Sequence, residues 1–485
     1  MLFRLMSKKQ LLVWGSMIVL VVGSFGYDLY NSIDFNKTGD DGDKIVLRLA
    51  HWDNGGKTET DLVKEVCKKF EEKNPGIKVD VEIISSYEQQ FNNFMAANRV
   101  PDVFCVPDGN FGQWVKTGVM LNLQEYFDNT TVIDKENIAG SALQRYRWNG
   151  TTMGSGDLYC VPKDITPYVM YYNKDLFDEY GVEYPSATDI MDPEEALYMW
   201  TQFGYDLGTV GTKSNGQMKL SDDHVYGVAK LYPESLIWSN GADYLSEDRT
   251  EVLIDSPEFI EAYDYIVEAQ MVYAVAPTAK DLASTSEKTL FLNGKAACYI
   301  EGRSVTTDLR NKADFEWDIA PIPAFETNQQ CNGWSGSVGY AVYKNCAYPD
   351  EAYALAEYFT SKEGQMIMAE AGFTAPLYND EQTIQEFIEL EKGKLPANTQ
   401  EFIRAAKHQR AGLWQYLPST RWKTTLDEHS GAMFTDDPSL RATPLQFFTD
   451  EKAVISNIIK EDFPELFNIK EDNDENEGGK LWLSL

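Results

Sequence analysis

The sequence predicts an α/β protein built as two lobes, and three observations carry that prediction. A chain of 485 residues exceeds what one ordinary compact core organises, so two lobes or domains are expected. The stretch from 45 to 108 alternates β-rich and amphipathic runs, a strand-helix-strand-helix-strand order that implies a parallel sheet covered by helices. Composition is that of a folded soluble protein, with 43% hydrophobic and 25% charged residues, and 13% aromatic residues is enough to ask what the rings do.

Taken in order, IVLRLAHW (45–52) reads as a strand. From Thr58, residues Leu62, Val63, Val66, Cys67 and Phe70 recur at helical spacing until Asn74-Pro75-Gly76 stops the run. IKVDVEII (77–84) alternates as a second strand, Tyr87 to Asn98 is helical with Phe91, Phe94 and Met95 on one face, and PDVFCVPD (101–108) is a third strand. Ligands of such sheets bind beyond the carboxyl ends of the strands, which puts Trp52, Asp53, Tyr87 and Asp108 on one rim. YCVPKDITPYVMYYNKDLFDEYG (159–181) is extended, broken by two prolines, and leads into a helix. A long helical and loop region follows, interrupted by a polar stretch at Gly208 to Gly216 that reads as an exposed loop. FEWDIAPIP (315–323) and SVGYAVYK (337–344) are later strands, and 349–372 forms two helices. The acidic tail 471–485 is expected to be disordered, and the sequence shows no internal repeat.

The chain carries 43 basic against 76 acidic residues, a net charge of −33. Phosphate binding relies on Lys and Arg, so nucleic acid is excluded as a general partner, and anionic ligands and anionic lipid are disfavoured. A neutral ligand fits best, and acidic surfaces would keep the protein soluble and monomeric. Arg4, Lys8 and Lys9 precede an uncharged segment from Gln10 to Tyr27, a basic region followed by an apolar one. This is a signal peptide or an N-terminal membrane anchor (1–27) followed by a polar linker (28–43); about 18 residues is marginal for a bilayer span. Either form places the rest outside the cell, tethered or secreted. Cys67, Cys105, Cys160, Cys298, Cys331 and Cys346 show no CxxC spacing, so structural zinc is not expected. Disulfides and buried free thiols both remain open.

A set of segments then occurs in a telling order. Trp52 ends a strand before a helix closed by NPGIKV; PDVFCVPDGNFGQWVKTGVMLNL (101–123) and YCVPKDITPYVMYYNKDLF follow. LYPESLIWSNGADY (231–244), the Asp255-Ser256-Pro257 helix start, FLNGKAACYIEGR (291–303) before WDIAPIP, GWSGSVGYAVYK and the Ser361 to Gln365 helix complete it. Together these resemble the extracellular solute-binding proteins of ATP-driven importers, the family that includes maltose- and oligosaccharide-binding proteins, over most of residues 45 to 425. The resemblance implies a periplasmic-binding-protein-like fold with hinge-linked lobes and an interlobe cleft. It assigns 44–166 and 321–372 to lobe 1 and 167–320 and 373–470 to lobe 2, with bending near 164–168 and 320–324. It further implies capture of a carbohydrate, expected to be an oligosaccharide, and delivery to the permease of an ABC transporter.

A sugar presents apolar C–H faces and a rim of hydroxyls, so its site needs rings for the faces and carboxylates or amides for the rim. The expected contacts are Trp52, Asp53, Tyr87 and Asp108 on lobe 1, and Tyr168 on the first crossing. Trp238 and Asp243 flank Gly241 in lobe 2, Trp334 sits in a glycine loop, and Trp414 and Trp422 supply the last rings. Arg303 stands where the family often carries an aromatic platform, which leaves room for an acidic sugar. Catalysis is not expected. The four histidines form no metal-binding spacing, and neither a GxSxG elbow nor a Walker loop occurs, so no metal or cofactor is implied. A glycan sensor or adhesin on the same fold, or a glycoside hydrolase using paired carboxylates, are the alternatives.

Overall fold

The computed structural model describes residues 44–53, 56–204, 213–214, 217–218, 224–328, 333–412 and 417–467. The N-terminal segment, the linker, most of the Gly208 to Gly216 stretch, Cys331, Trp414 and the acidic tail lie outside the described residues.

Among the described residues nine strands build the two principal sheets: β1 (Ile45–Trp52), β2 (Ile77–Ile84), β3 (Val103–Pro107), β4 (Val161–Pro162), β5 (Tyr168–Asn173), β6 (Tyr226–Val228), β7 (Ala296–Gly302), β8 (Trp317–Ala320) and β9 (Val338–Val342). Lobe 1 holds a sheet in the order β2-β1-β3-β9-β4. β1 runs parallel to β2 from Ile45↔Ile77 to Trp52↔Ile84, and parallel to β3. β9 returns antiparallel to β3, pairing Val338 with Pro107 and Val342 with Val103. Every residue of β3 and β9 is buried, as a central strand covered on both faces requires. The helix Gly56–Lys73 covers one face through Val63, Val66, Cys67 and Phe70, the residues whose spacing predicted it.

Lobe 2 holds a four-stranded sheet in the order β6-β7-β5-β8, in which β5 is antiparallel to both neighbours. Its core includes Met170, Phe177, Trp200, Val228 and Ile300. A helical unit extends it: Pro233–Ser239, Pro257–Met271, Arg421–Ser430 and Pro444–Asp462 pack around Trp238, Tyr244, Phe259, Trp422 and Phe448.

The first crossing between the lobes, 163–168, is flanked by two other segments of chain. Thr166 bridges Gly336 and Ile165 bridges Ala375, both antiparallel. Here the structure differs from the expected bend at 320–324. Those residues stay in lobe 2: Ile322 and Ala324 are buried, Ala324 N donates to the Met191 carbonyl at 3.0 Å, and Phe325 N to Ser239 Oγ at 3.0 Å. The return crossing is 333–338. Residues 373–380 also remain on lobe 1, where Ala139 N bonds the Leu377 carbonyl at 2.8 Å and Ile138 bridges Tyr378. The last passage is the helix Glu381–Glu391. Asp380 caps it beside Lys362 of lobe 1, and Glu391 ends it against Arg303 and Arg310 of lobe 2.

Candidate ligand cleft

A cavity of about 480 Å³ opens between the lobes. Lobe 1 contributes Trp52 from the end of β1, Glu59 from the following helix, Asp108 from the end of β3, and Ser337 and Val338 at the start of β9. Lobe 2 contributes Tyr299 and Glu301, alternate residues on one face of β7, with Ser304 and Asp308 just beyond it. Asp164, Thr166, Tyr168, Trp334 and Gly336 form the floor along the crossings. The carboxyl ends of β1 and β3 therefore face the opening, as the strand-end rule anticipates.

On lobe 1 the polar groups are anchored from behind. The Trp52 indole N–H donates to Glu59 Oε2 at 2.9 Å, while Glu59 Oε1 accepts from the Lys163 ammonium at 2.8 Å. Lys163 also meets Asp164 Oδ2 at 2.7 Å, and Asp164 Oδ1 accepts from Val338 N at 2.8 Å. Burial would raise the Glu59 pKa, but Lys163 and His51 outweigh it and hold the carboxyl well below its usual range. Asp108 opens the helix Asp108–Lys116 and pairs with the buried Arg145 guanidinium at 2.9 Å. Burial pushes its pKa up to about 6 against the opposing pull of Arg145.

The floor is aromatic. Tyr168 lies 4.6 Å from Trp334 and 5.0 Å from Tyr232 between ring centroids, with Tyr232 and Trp334 5.7 Å apart. Gln409 fixes the strand that carries Tyr168, accepting from its N–H at 2.8 Å and donating to its carbonyl at 2.6 Å. Gly302 permits the close fit of β7 on the first crossing, since a Cβ there would stand 2.7 Å from Thr166 Cγ2. Beyond Trp334 a second cavity of about 340 Å³ continues over Tyr232, Glu234 and Lys423.

Of the residues singled out in the sequence, Trp52, Asp108, Tyr168 and Trp334 come together on this cavity. Asp53 stands next to it and accepts from the Ser85 hydroxyl. Four others lie in cores instead. Tyr87 is fully buried in lobe 1, stacked on Phe91, and spends its hydroxyl on the Cys105 carbonyl at 2.8 Å. Trp422 packs against Tyr244 inside the helical unit. Trp238 is covered by the Arg410 guanidinium, 3.9 Å from its ring, and donates to Asp243 at 3.2 Å; Asp243 in turn pairs with Arg410 at 2.7 Å. Arg303 corrects the expectation of an acidic-sugar clamp. Its guanidinium is fully buried between Phe387 and Phe402, bonds the Thr374 carbonyl at 2.8 Å and faces Glu391 at 3.1 Å. Sequence reasoning missed Glu59, Asp164, Glu301 and Tyr232. For Glu301 a signal existed in the Tyr299-x-Glu301 alternation before Gly302; Glu59 and Asp164 are acids among many. The five described cysteines are free thiols, and no group of His, Cys, Asp and Glu among the described residues could hold a metal ion.

Two lobes, chain crossings between them and a polar, ring-lined cleft at the crossings define a hinged solute-binding protein. Residues 55–366 match the bacterial extracellular solute-binding protein family, and the chain belongs to that family. By that description the family is extracellular. The chain is 24% identical over 335 residues to the maltodextrin-binding protein MdxE of Bacillus subtilis, covering 67% of this chain and 70% of that one. It is 22% identical over 271 residues to the diacetylchitobiose binding protein DasA of Streptomyces coelicolor, covering 55% and 57%. Among solved structures, an ABC substrate-binding protein of Listeria monocytogenes in complex with cycloalternan matches at 21% identity and TM-score 0.68, over 86% of this chain and 99% of that one. A cyclo/maltodextrin-binding protein complexed with maltotetraose matches at 19% identity and TM-score 0.64, over 87% and 99%. These likenesses establish the fold. The family and its neighbours are binding proteins.

Proposed function

We propose that the protein captures a neutral oligosaccharide in the interlobe cleft, outside the cell, and presents it to the permease of an ABC importer. One observation carries this reading: an aromatic floor of Tyr168 and Trp334 faces a wall of carboxylates, and the lysine lining the cavity, Lys288, is paired with Asp308 at 2.6 Å. Rings stack on sugar C–H faces, and charged acceptors take the stronger hydrogen bonds from hydroxyls. Such a wall repels anions. The relatives named for maltodextrin and diacetylchitobiose, and the neighbours holding cycloalternan and maltotetraose, support the ligand class. Contacts from both walls favour the closed form, which ligand binding then selects. The basic and apolar segment from Arg4 to Tyr27 directs the chain out of the cytoplasm, tethered or cleaved.

A thermal-shift screen tests the proposal, because a ligand bound only by the native state raises the melting temperature. The panel is maltotetraose, diacetylchitobiose, monosaccharides, uronic acids and peptides. A shift with neutral oligosaccharides that Trp334→Ala abolishes is the expected result. A shift with uronates or peptides alone would overturn it.

A further inference from the structure

We infer that Lys163 is a positioning residue for the ligand: buried behind the cleft, it holds Glu59 and Asp164 as a fixed pair of acceptors and, through Glu59, sets the indole of Trp52. The inference rests on the cleft being the ligand site and adds to it a residue that does not line the cavity.

The geometry is specific. Lys163 is fully buried, yet its ammonium reaches two carboxylates that line the cavity, at 2.8 Å and 2.7 Å. Each carboxylate uses its second oxygen for positioning: Glu59 Oε2 takes the Trp52 N–H, and Asp164 Oδ1 takes Val338 N on the return crossing. The ammonium also lies 5.6 Å from the ring of Phe373, a further lining residue. The Lys163 backbone N–H donates to the Val338 carbonyl at 2.7 Å, so the same residue ties the first crossing to the second. One side chain thereby connects the lobe 1 ring platform to both strands that must move when the lobes close.

The surrounding groups leave the counter-charge to Lys163. His51 of β1 approaches Glu59 Oε1 at 3.2 Å and the Tyr340 hydroxyl of β9 at 3.3 Å, but burial lowers its pKa and favours the neutral ring. Burial pushes the Cys105 thiol of β3 up to about 12 and the Tyr340 phenol well above its usual value, so both stay protonated. Asp108, the other acid near Asp164, is matched by Arg145. A carboxylate left in this setting without its cation would take up a proton and turn from acceptor to donor.

The test uses the panel oligosaccharide with the largest thermal shift, maltotetraose or diacetylchitobiose, titrated calorimetrically into the wild type, Lys163→Met, Glu59→Gln and the double variant from pH 5 to pH 8. At pH 8 each single variant is expected to bind roughly tenfold or more weaker. The double variant should bind much better than the product of the two losses predicts, because both act on one network. In Lys163→Met the pH at which affinity levels off should also move up, which a lysine serving stability alone would not cause. Wild-type affinity and an unshifted pH curve in Lys163→Met would overturn the inference. If that variant does not fold, Glu59→Gln decides, and wild-type affinity there overturns it equally. A wild type silent to every sugar would remove the proposed function instead, and this inference with it.

Discussion

With Asp108 as the proposed ligand acceptor, the affinity of the cleft is expected to depend on pH, in a direction opposite to the effect of Asp108 on stability. Its carboxylate is 8% exposed and 2.9 Å from Arg145, and burial raises its pKa to about 6, against about 3.9 in an unfolded chain. The folded protein therefore binds the proton more tightly than the unfolded one. The resulting stabilisation is complete below about pH 4 and is lost as the pH rises through about 6; a gap of about two pH units corresponds to about 3 kcal/mol. A sugar hydroxyl donating to Asp108 requires the ionised form. At pH 5 only about one molecule in ten is ionised there, so the apparent Kd should be roughly tenfold larger than at pH 7. Binding should release a proton in this range. Calorimetry at pH 5, 6 and 7, in two buffers of different ionisation heat, measures both effects. Asp108→Asn should bind weakly at every pH, and because its neutral amide mimics the protonated acid beside Arg145, it should flatten the pH dependence of stability between about pH 4 and pH 6 in urea unfolding. A Kd constant from pH 5 to 7, with no proton released, would refute the assignment of Asp108 as a ligand acceptor.

Trp334→Ala removes the ring shared by both cavities and should weaken oligosaccharide binding by about 2 kcal/mol or more, read by calorimetry. Arg303→Met strips a cation from the buried Glu391 while Arg310 remains, so urea unfolding should show a loss of about 3 kcal/mol with the ranking of sugars in the thermal screen unchanged. Gly302→Ala forces a Cβ to within 2.7 Å of Thr166 Cγ2 on the first crossing. It should cost about 1–3 kcal/mol and reduce the ligand-induced compaction seen by small-angle scattering. Burial pushes the Cys105 and Cys298 thiols up to about 12, so iodoacetamide should modify neither in the native state and both once the chain is unfolded.

Sequence periodicity served well where one element faces one core. Ile45–Trp52 and Ile77–Ile84 coincide with the expected strands, and the helix after Trp52 buries the face that its spacing marked. The crossings were less legible. The resemblance implied a bend at 320–324, yet side chains of lobe 2 bury Ala320, Ile322 and Ala324, and that packing is invisible in local sequence. The cleft rings divided for a similar reason. Trp52 and Trp334 adjoin turns at strand or crossing ends, whereas Trp238 and Trp422 sit on helices whose apolar faces turn inward. Aromatic identity alone does not separate the two cases. Arg303 misled because its neighbours in space, Phe387, Glu391 and Phe402, come from helices that begin 78 and 97 residues later, far outside the window of roughly 11–18 residues over which local patterning is read.

The place of β9 in the lobe 1 sheet bears on how the chain is made. That strand lies between β3 and β4, but roughly 230 residues of chain separate β3 from it, and at about 5–20 residues per second their synthesis takes tens of seconds. Until Val338–Val342 arrives, one edge of β3 has no partner and β4 has nothing to pair with. The first lobe to be translated is thus among the last parts able to finish. In a family described as extracellular, a fold whose central strand comes late leaves the first lobe open for as long as those residues are still being made.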